Sequence, residues 1–338
     1  INGEYYGIGL LVGQPNETGS EVLEVYQGST SESAGIKVGD IITAVNGTSV
    51  ANMDQDDLRA LIDAKKADGV QLSILRGSET LDITVTGGNI TVKHVDSALF
   101  NDRTGYIYVS MFTGNCADEF ENAIKDLKSR NMKSLVIDLR NNPGGLLDQA
   151  VSVSDMFLSK GTIVSIQGRG PVPERIYEAK DQAGDIDVPV VVIINACSAS
   201  AAEIVAGALR DQKRALIIGE RSFGKGSVQN IIPLSDGSAL KLTVALYYTP
   251  SGSSIQAEGI VPDLEIPFER PREEDADEPR ILLREQNLSG HLENADGGKK
   301  ASSSKKRDDA AEQLARDNQL RMALQLVKGL PRIQEIRR

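Results

Sequence analysis

Up to about Thr86, short apolar runs alternate with polar positions and are separated by glycine-containing turns. That pattern is typical of strands with one buried face, and Val22–Tyr26, Val70–Arg76 and Glu79–Val85 fit it well. One helix is predicted over Gln55–Lys65, because its apolar side chains recur at helical spacing on one face. The pattern therefore predicts a small β-rich module at the start of the chain.

From about Val92 to Pro267 the pattern changes to apolar runs that alternate with amphipathic stretches. Val190–Ile194 is an unbroken apolar run, which is typical of a strand buried on both faces. Helices are predicted over Ala117–Ser129 and Ala201–Leu209. Strands that alternate with helices favour an α/β domain.

The composition changes again after Phe268. Glu269 to about Arg307 is charged and contains Pro, Gly and a Lys/Ser tract, so a flexible, disordered linker is predicted there. A helix is predicted from Asp308 to Lys328, ended by Gly329 and Pro331. Its apolar face needs a surface to cover it, so we expect a homo-oligomer or an adaptor protein to contact this helix; the face consists of Leu320, Leu324 and Val327.

Composition and charge narrow the classes of function. The 338 residues carry a net charge of −11 with no obvious basic stripe, which argues against a nucleic-acid partner. No apolar run approaches the roughly 20 residues that cross a membrane. The chain has no initiating Met and no signal peptide, so we expect it to be part of a longer precursor. We expect no metal and no cofactor, and the sequence leaves open whether Cys116 and Cys197 pair.

Ser200 is the first candidate for chemistry, because it ends a turn of small residues between the buried apolar run and the helix that starts at Ala201. A serine at a strand-to-helix turn lies beside backbone N–H groups that can stabilise an oxyanion. The two histidines are His94, in a strand-like stretch, and His291, in the polar tail. Neither is a convincing base, which argues against a Ser-His-Asp triad.

Lys225 is the better candidate for the base. It acts as a base only in its neutral form, which burial or neighbouring groups must favour. Glycines on both sides, Gly224 and Gly226, let the backbone turn tightly and bring the amine close to a partner. Gln229 has a side chain that can hold the amine by hydrogen bonding.

Two other interpretations of this stretch stay open at this point. The segment from Gly219 to Lys225 resembles a phosphate-binding loop, but Gly226 stands where that motif has the Ser or Thr that binds Mg²⁺. The small residues around Ser200 can also serve only to let a helix pack closely against a strand.

The stretch around Ser200 and Lys225 resembles the corresponding stretch of the carboxyl-terminal processing proteases, which are also called tail-specific proteases. The resemblance rests on Ser198–Leu209, on Gly224–Gly226 and on Gln229. It implies that Ser200 is the nucleophile and that Lys225 is the general base, with Gln229 positioning the lysine. It also implies protein or peptide substrates with exposed C-termini.

The resemblance extends to other positions, with two departures. Asp211 matches an aspartate that the family needs for activity or integrity, although a solvated charge at a helix end is an equal alternative. Ala202 stands where a third serine is usual, and Ser253 where arginine is usual.

The turn Asn141-Asn142-Pro143-Gly144-Gly145 follows a buried strand, and glycines there allow close approach of the backbone. In the family this element supplies part of the oxyanion hole. The resemblance therefore implies N–H donors from Gly144 or Gly145 together with Ala201. The alternative is an ordinary turn at the start of a helix.

The first module resembles a PDZ domain through Ala34–Ile42 and the Val45-Asn46-Gly47 that follows. Such domains bind extended C-termini by adding a strand to a sheet edge. A PDZ-like fold can also serve only as a spacer or a lid. The resemblance places the groove at a carboxylate loop and one helix face, namely Gly7, Ile8, Gly9, Leu10, Leu58 and Ile62.

These observations predict an α/β (α+β) multidomain protein with a PDZ domain, a crotonase-like α/β Ser/Lys protease core, and a partly disordered C-terminal tail that ends in a helix. The predicted boundaries are 1–88, 89–268, 269–307 and 308–338. We expect a serine endopeptidase that recognises substrate C-termini through its PDZ domain and cleaves near the tail. The family resemblance implies a bacterial protein in the periplasm or another extracytoplasmic compartment, with membrane association left open. The alternative is a catalytically silent or partner-activated PDZ binding scaffold.

Overall fold

The computed structural model describes residues 4–100, 102–168, 175–181, 186–269 and 317–336. It forms two compact units. The first holds the chain up to His94 together with Thr113–Glu119, and the second holds Val95–Phe112 and the chain from Phe120 onward. Most of the predicted linker, the start of the predicted last helix and His291 lie outside the described residues.

An antiparallel sheet forms the first unit. In chain order its elements are β1 (Glu4–Gly7), β2 (Leu10–Val12), β3 (Ser20–Val25), α1 (Thr30–Ser33), β4 (Ile41–Val45), β5 (Thr48–Ser49), α2 (Gln55–Asp63), β6 (Val70–Arg76), β7 (Glu79–Val85) and β8 (Gly88–Thr91). The sheet order is β2-β3-β4-β6-β7, with β5 on β4, while β1 pairs with β8. The bounds predicted for β6 and β7 are confirmed.

The core of this unit follows from the alternation in the sequence. Val70, Leu72 and Ile74 on β6 are fully buried, since successive side chains of a strand point to opposite faces. The helix α2 begins where the Asp54 side chain accepts the N–H of Asp56, and it buries Leu58 in the same core.

An ion pair between the buried Asp40, just before β4, and the partly exposed Arg76, at the end of β6, joins these two strands of the first unit. The Arg76 guanidinium donates from Nε and from a terminal nitrogen to the Asp40 carboxylate, both at 2.7 Å. Asp40 also accepts the N–H of Lys37 at 2.8 Å. The hydrogen bond from Arg76 is the main cause that lowers the pKa of Asp40, against the opposing effect of burial.

A largely parallel sheet organises the second unit. Its first elements are β9 (Val95–Leu99), β10 (Thr104–Val109), α3 (Cys116–Ser129), β11 (Ser134–Asp138), α4 (Leu147–Asp155), β12 (Thr162–Gly168) and β13 (Arg175–Glu178). They are followed by β14 (Val190–Ile194), α5 (Ala201–Asp211), β15 (Leu216–Gly219), β16 (Ser227–Pro233), β17 (Ala239–Tyr248), β18 (Leu264–Glu265) and α6 (Asn318–Ile336).

The order of the main sheet is β18-β15-β14-β11-β10-β9, with every neighbouring pair parallel except β10 and β9. Every residue of β11 and β14 is buried, as the unbroken apolar run of β14 predicts for that strand. The turns after these two strands lie at the same edge of the sheet, because parallel strands end on the same side. A second, antiparallel sheet has the order β13-β12-β17-β16, which leaves β16 at an edge.

The last helix corrects two predictions. It passes through Gly329 and Pro331 and ends at Ile336, although these residues were predicted to stop it. Packing explains the difference, since buried contacts outweigh weak local preferences. The apolar face also needs no second chain to cover it: Leu320, Ala323 and Val327 are fully buried in one cluster with β10, β11, β14 and β15 of the same unit.

Candidate active site

Ser200 lies between β14 and α5 with φ +54° and ψ −112°. A non-glycine residue in the positive-φ region is strained, and such strain often occurs at functional turns. The backbone N–H of Ser200 donates to Glu203 at 2.8 Å, which helps to hold this conformation. The serine is partly exposed at the carboxyl end of the buried strand, as the sequence predicted.

Glu203 is fully buried and joins the serine turn to the lysine loop. Besides the N–H of Ser200, its carboxylate accepts the Ser222 hydroxyl at 2.5 Å, the N–H of Gly224 at 2.7 Å and the N–H of Lys225 at 2.8 Å. A buried carboxylate must be compensated in this way, because an uncompensated one costs several kcal/mol. One side chain therefore fixes the backbones of Ser200 and Lys225 together.

Only part of this arrangement was predictable from the sequence. Glu203 stands three residues after Ser200, which is the spacing of a capping box, and a carboxylate suits the first turn of a helix. Its bonds to the lysine loop were not predicted. Ser222 was missed entirely; its hydroxyl also accepts the N–H of Ile260 at 2.6 Å, and no sequence motif marks it.

The glycines beside Lys225 are required by close packing. Gly224 has φ +89°, and Gly226 lies so close to the backbone of Gln256 that a Cβ atom there would overlap it. The N–H of Ala257 donates to the Gly224 carbonyl at 2.9 Å. The closing segment of the domain thus holds the loop that presents the lysine.

Ser200, Lys225 and Gln229 were predicted to act together, but no hydrogen bond joins their side chains among the described residues. The hydrogen bonds of the described residues include none between the Lys225 amine and either the Ser200 hydroxyl or the Gln229 amide. Lys225 is partly exposed and Gln229 is exposed. The register of β16 shifts between Val228 and Gln229, and such bulges re-aim the side chains next to them.

The glycine turn packs directly on the serine. Gly144 has φ +101°, and a Cβ atom there would lie 2.7 Å from both the Ala199 carbonyl oxygen and the Ser200 Cβ. The N–H of Gly144 is already used, because it donates to the Asn142 side chain at 2.8 Å. The N–H groups of Gly145 and Ala201 donate no bond among the described residues and therefore remain available.

Further bonds join the glycine turn to the serine turn. Asn141 and Asn195 exchange two bonds of 2.9 Å, from the Asn141 N–H and from the Asn195 side-chain amide. The N–H of Ala199 donates to the Asn142 carbonyl at 2.9 Å, and the Ser198 hydroxyl donates to the Leu139 carbonyl at 2.8 Å. The turns after β11 and β14 therefore form one cross-linked element.

Asp211 lies at the end of α5 and is not a solvated charge. It accepts the N–H of Ser251 at 3.0 Å and two bonds from Arg210. Burial tends to raise the pKa of Asp211, but hydrogen bonds from Thr249, Ser251 and Arg210 outweigh it and hold the pKa below its ordinary value. The contacts tie the end of the helix to the turn after β17.

In the first unit, the six residues predicted to recognise a peptide line one groove of about 600 Å³. Its walls are the edge strand β2 and the helix α2. The N–H groups of Ile8 and Gly9 donate none of the described backbone hydrogen bonds. At the far end, the Gln55 side chain donates to the Val12 carbonyl at 3.4 Å. The groove residues are Gly7, Ile8, Gly9, Leu10, Leu58 and Ile62.

The other reactive side chains to place are His94 and the two cysteines. His94 lies in the first unit between β8 and β9, its N–H donates to Glu119, and burial lowers its pKa. Both cysteines are free thiols: Cys197 is exposed, while burial raises the pKa of Cys116 to about 12. Within the described residues, no cluster of three or more His, Cys, Asp or Glu side chains is placed to hold a metal ion.

Comparison with known proteins identifies the family of the chain. The sequence model of Peptidase family S41 matches residues 103–266, and that of the PDZ domain matches residues 2–75. A carboxy-terminal-processing protease of Bartonella bacilliformis is 41% identical over 310 residues, which cover 89% of this chain and 70% of that protein. The chain belongs to Peptidase family S41. It is a serine-type peptidase with a PDZ domain, of the carboxyl-terminal processing group.

Other relatives are more distant. Carboxyl-terminal-processing peptidase 2 of the Arabidopsis thaliana chloroplast is 34% identical over 81% of this chain and 56% of that protein. A solved photosystem II D1 C-terminal processing protease is 33% identical, covering 79% of this chain and 73% of its own, with a TM-score of 0.48. The chain thus spans between about half and 70% of the length of these curated relatives. Over the described residues of the S41 peptidase, no helix is long and apolar enough to span a membrane.

Proposed function

We propose that this S41 peptidase is an endopeptidase that captures the C-terminus of a protein substrate and cleaves near that tail with a Ser200/Lys225 dyad. The observation that carries the proposal is the buried Glu203 carboxylate, which accepts N–H groups from both residues. A clamp of this kind brings a nucleophile and a base from separate loops to one place, which proximity catalysis requires.

Recognition of the tail is assigned to the groove of the first unit. Its edge strand β2 is open to strand addition, and the unused N–H groups of Ile8 and Gly9 suit a terminal carboxylate. Apolar side chains of Leu58 and Ile62 on α2 favour an apolar last residue. The proposed substrate is therefore a protein with an extended, apolar C-terminus.

In the proposed mechanism, the neutral Lys225 amine takes the proton of the Ser200 hydroxyl as its oxygen attacks the scissile carbonyl. The N–H groups of Gly145 and Ala201 receive the oxyanion, because the N–H of Gly144 is engaged by Asn142. Collapse breaks the C–N bond, and the lysine ammonium returns the proton to the leaving amine.

In the second half of the cycle, Lys225 acts as the base again. A water molecule, deprotonated by Lys225, attacks the acyl-enzyme, and Ser200 leaves with the proton. Since the amine and hydroxyl are not bonded in the structure, they must come together when substrate binds. Gln229 is assigned to orient the amine, and Asp211 to hold the end of α5 and the turn after β17.

The missing bond between Ser200 and Lys225 also favours one alternative, a PDZ scaffold that is catalytically silent or that a partner activates. The location in the periplasm or another extracytoplasmic compartment belongs to the proposal as well, on the strength of the family resemblance. A homo-oligomer or an adaptor remains part of the proposed partners. Such a partner would contact the exposed surface of α6, since its apolar face is already covered.

The proposal is tested by cleavage of a protein with an unstructured apolar C-terminus, comparing the wild type with Ser200→Ala and Lys225→Ala. We expect both variants to lose at least about 1,000-fold in kcat/KM. The same substrate with an amidated C-terminus should be cleaved more slowly, since the groove then receives no carboxylate. Tail binding without cleavage by any of the three proteins favours the scaffold, and normal cleavage by Lys225→Ala contradicts the mechanism.

A further inference from the structure

Arg140 stands where β11 becomes the glycine turn. Its guanidinium is mostly buried, with 12% of the side chain exposed. Nε and one terminal nitrogen donate to the buried Asp138 carboxylate, at 2.9 and 2.6 Å. These two bonds fix the side chain to its own strand and leave the other terminal nitrogen to be satisfied from elsewhere.

That nitrogen is satisfied by the last helix. It donates to the Asp317 carboxylate at 2.5 Å and to the Gln319 side chain at 2.9 Å. Gln319 also donates to the carbonyl of Ile266 at 2.7 Å. A segment 177 residues further along the chain therefore completes the environment of the residue that begins the glycine turn.

The turn has room to move if Arg140 is not held. A cavity of about 570 Å³ lies beside it, and Arg140, Asn141, Asn195, Asp317 and Gln319 are among its lining residues. Charge-assisted hydrogen bonds are stronger and more directional than neutral ones, so of the two contacts from the last helix the bond to Asp317 restrains the arginine more. The restraint passes directly to Asn141 and its paired bonds with Asn195.

We propose that Arg140 is a positioning residue for the oxyanion turn, and that docking of α6 through Asp317 and Gln319 holds it in place. The inference rests on the proposed function, in which Gly145 and Ala201 receive the oxyanion. The last helix then acts as an intramolecular activator: with α6 docked the donors are aligned, and without its polar contacts the turn is misplaced. A shift of about 1 Å at such a donor costs on the order of 100-fold in rate.

Asp317→Asn separates this role from simple stability. Asp317 also caps α6 by accepting the N–H of Leu320 at 3.0 Å, and asparagine caps helices as well as aspartate does. The substitution therefore keeps the cap and removes only the charge that holds Arg140. A matched control is Lys328→Met, which breaks a different ion pair of α6, with Asp102, and leaves Arg140 untouched.

The experiment measures kcat and KM on a short ester substrate, together with the melting temperature, for the wild type, Asp317→Asn, Gln319→Ala and Lys328→Met. We expect kcat to fall about 10-fold in Asp317→Asn, with KM and melting temperature nearly unchanged. In Gln319→Ala we expect kcat to fall about 5-fold with KM nearly unchanged, together with a lower melting temperature, because this side chain is fully buried and hydrogen-bonded. Lys328→Met should keep the wild-type kcat.

Three results would overturn the inference. Unchanged kcat in Asp317→Asn and Gln319→Ala, beside a wild type that clearly exceeds Ser200→Ala, contradicts the inference alone. A loss of kcat in all three α6 variants that follows the melting temperature shows a purely structural role. A wild type that hydrolyses the ester no faster than Ser200→Ala overturns the proposed function and the inference with it.

Discussion

The groove of the first unit and the serine turn of the second unit use their backbone groups in opposite ways. In the groove, β2 pairs with β3 along one edge and has no described strand partner along the other, and the N–H groups of Ile8 and Gly9 donate none of the described backbone hydrogen bonds. Around Ser200 and Lys225, backbone N–H groups are tied to Glu203 and Asn142. Among the described residues there, the N–H groups of Gly145 and Ala201 donate no hydrogen bond.

The difference follows from what each region has to do. A groove that binds an extended chain gains affinity from main-chain hydrogen bonds that the ligand supplies, so its own groups must stay open. A site that stabilises a transition state needs donors fixed in advance within a fraction of an ångström. Substitutions in the serine turn should therefore cost more than substitutions in the groove.

The largest effect is expected for Glu203→Gln. The amide replaces one acceptor oxygen by a donor, so at least one of the four groups that donate to Glu203 loses its partner. We expect the free energy of unfolding to fall by about 3 kcal/mol and kcat/KM by at least about 100-fold. Denaturant unfolding and substrate cleavage measure both.

Glu220→Gln is the matched control for that substitution. Its side chain accepts one backbone N–H, from Phe268 at 3.1 Å, and lies near the same sheet edge. It should lose less than about 1 kcal/mol. Equal losses in the two variants would show that the clamp at Glu203 has no special role.

Gly144→Ala is expected to have the next largest effect. A methyl group at position 144 would lie 2.7 Å from the Ser200 Cβ. Gly237→Ala is the matched control, because Gly237 has a similar φ of +86° and open space around it. Each substitution carries about 1 kcal/mol of backbone strain. Only Gly144→Ala should also lower kcat, by about 100-fold; similar kcat values in the two variants would refute the packing argument.

Ile62→Asp tests the groove and should cost less. A charged side chain on this wall disfavours an apolar last residue, so KM for the tailed substrate should rise about 10-fold. The short ester should be hydrolysed at the wild-type rate, because it does not use the groove. Val38→Asp is the control, at an apolar side chain that is 65% exposed and does not line the groove. A rise in KM for the ester as well would argue against separate recognition.

The smallest effect concerns pH. The Arg76 hydrogen bond lowers the folded-state pKa of Asp40, so this carboxylate stabilises the first unit above its unfolded pKa of about 3.9. That stability is lost as the pH falls through the lower folded-state value. Between pH 5 and pH 3, Asp40→Asn should show a melting temperature drop about 3 °C smaller than that of the wild type. An equal drop would contradict the assignment.

The sequence predicted the parts of the fold that depend on local pattern. The bounds of β6, β7 and β14 agree with the structure, because alternation or an unbroken apolar run marks each one. The resemblance to a PDZ domain pointed to residues that line one groove in the structure, since the loop before β2 and the face of α2 each lie in one short stretch of sequence. Their role in binding a peptide stays a prediction.

Contacts between segments far apart in the chain could not be predicted from the sequence. Glu203 accepts hydrogen bonds from a loop about twenty residues further along the chain. The course of that loop depends on its packing against the closing segment near Gln256. Arg140 meets Asp317 across 177 positions, which no periodicity encodes. The end of α6 was wrong for a similar reason: Gly329 and Pro331 are local stop signals, and packing elsewhere in the helix outweighs them.

The most direct test of the central claim is covalent labelling with a fluorophosphonate, read by intact mass and peptide mapping. A Ser200/Lys225 dyad should give one adduct per chain on Ser200, with labelling slowed at least about 100-fold in Lys225→Ala, because the hydroxyl then has no base. An adduct on another residue, no adduct on the wild type, or equal rates in the two proteins would contradict a Ser200/Lys225 dyad.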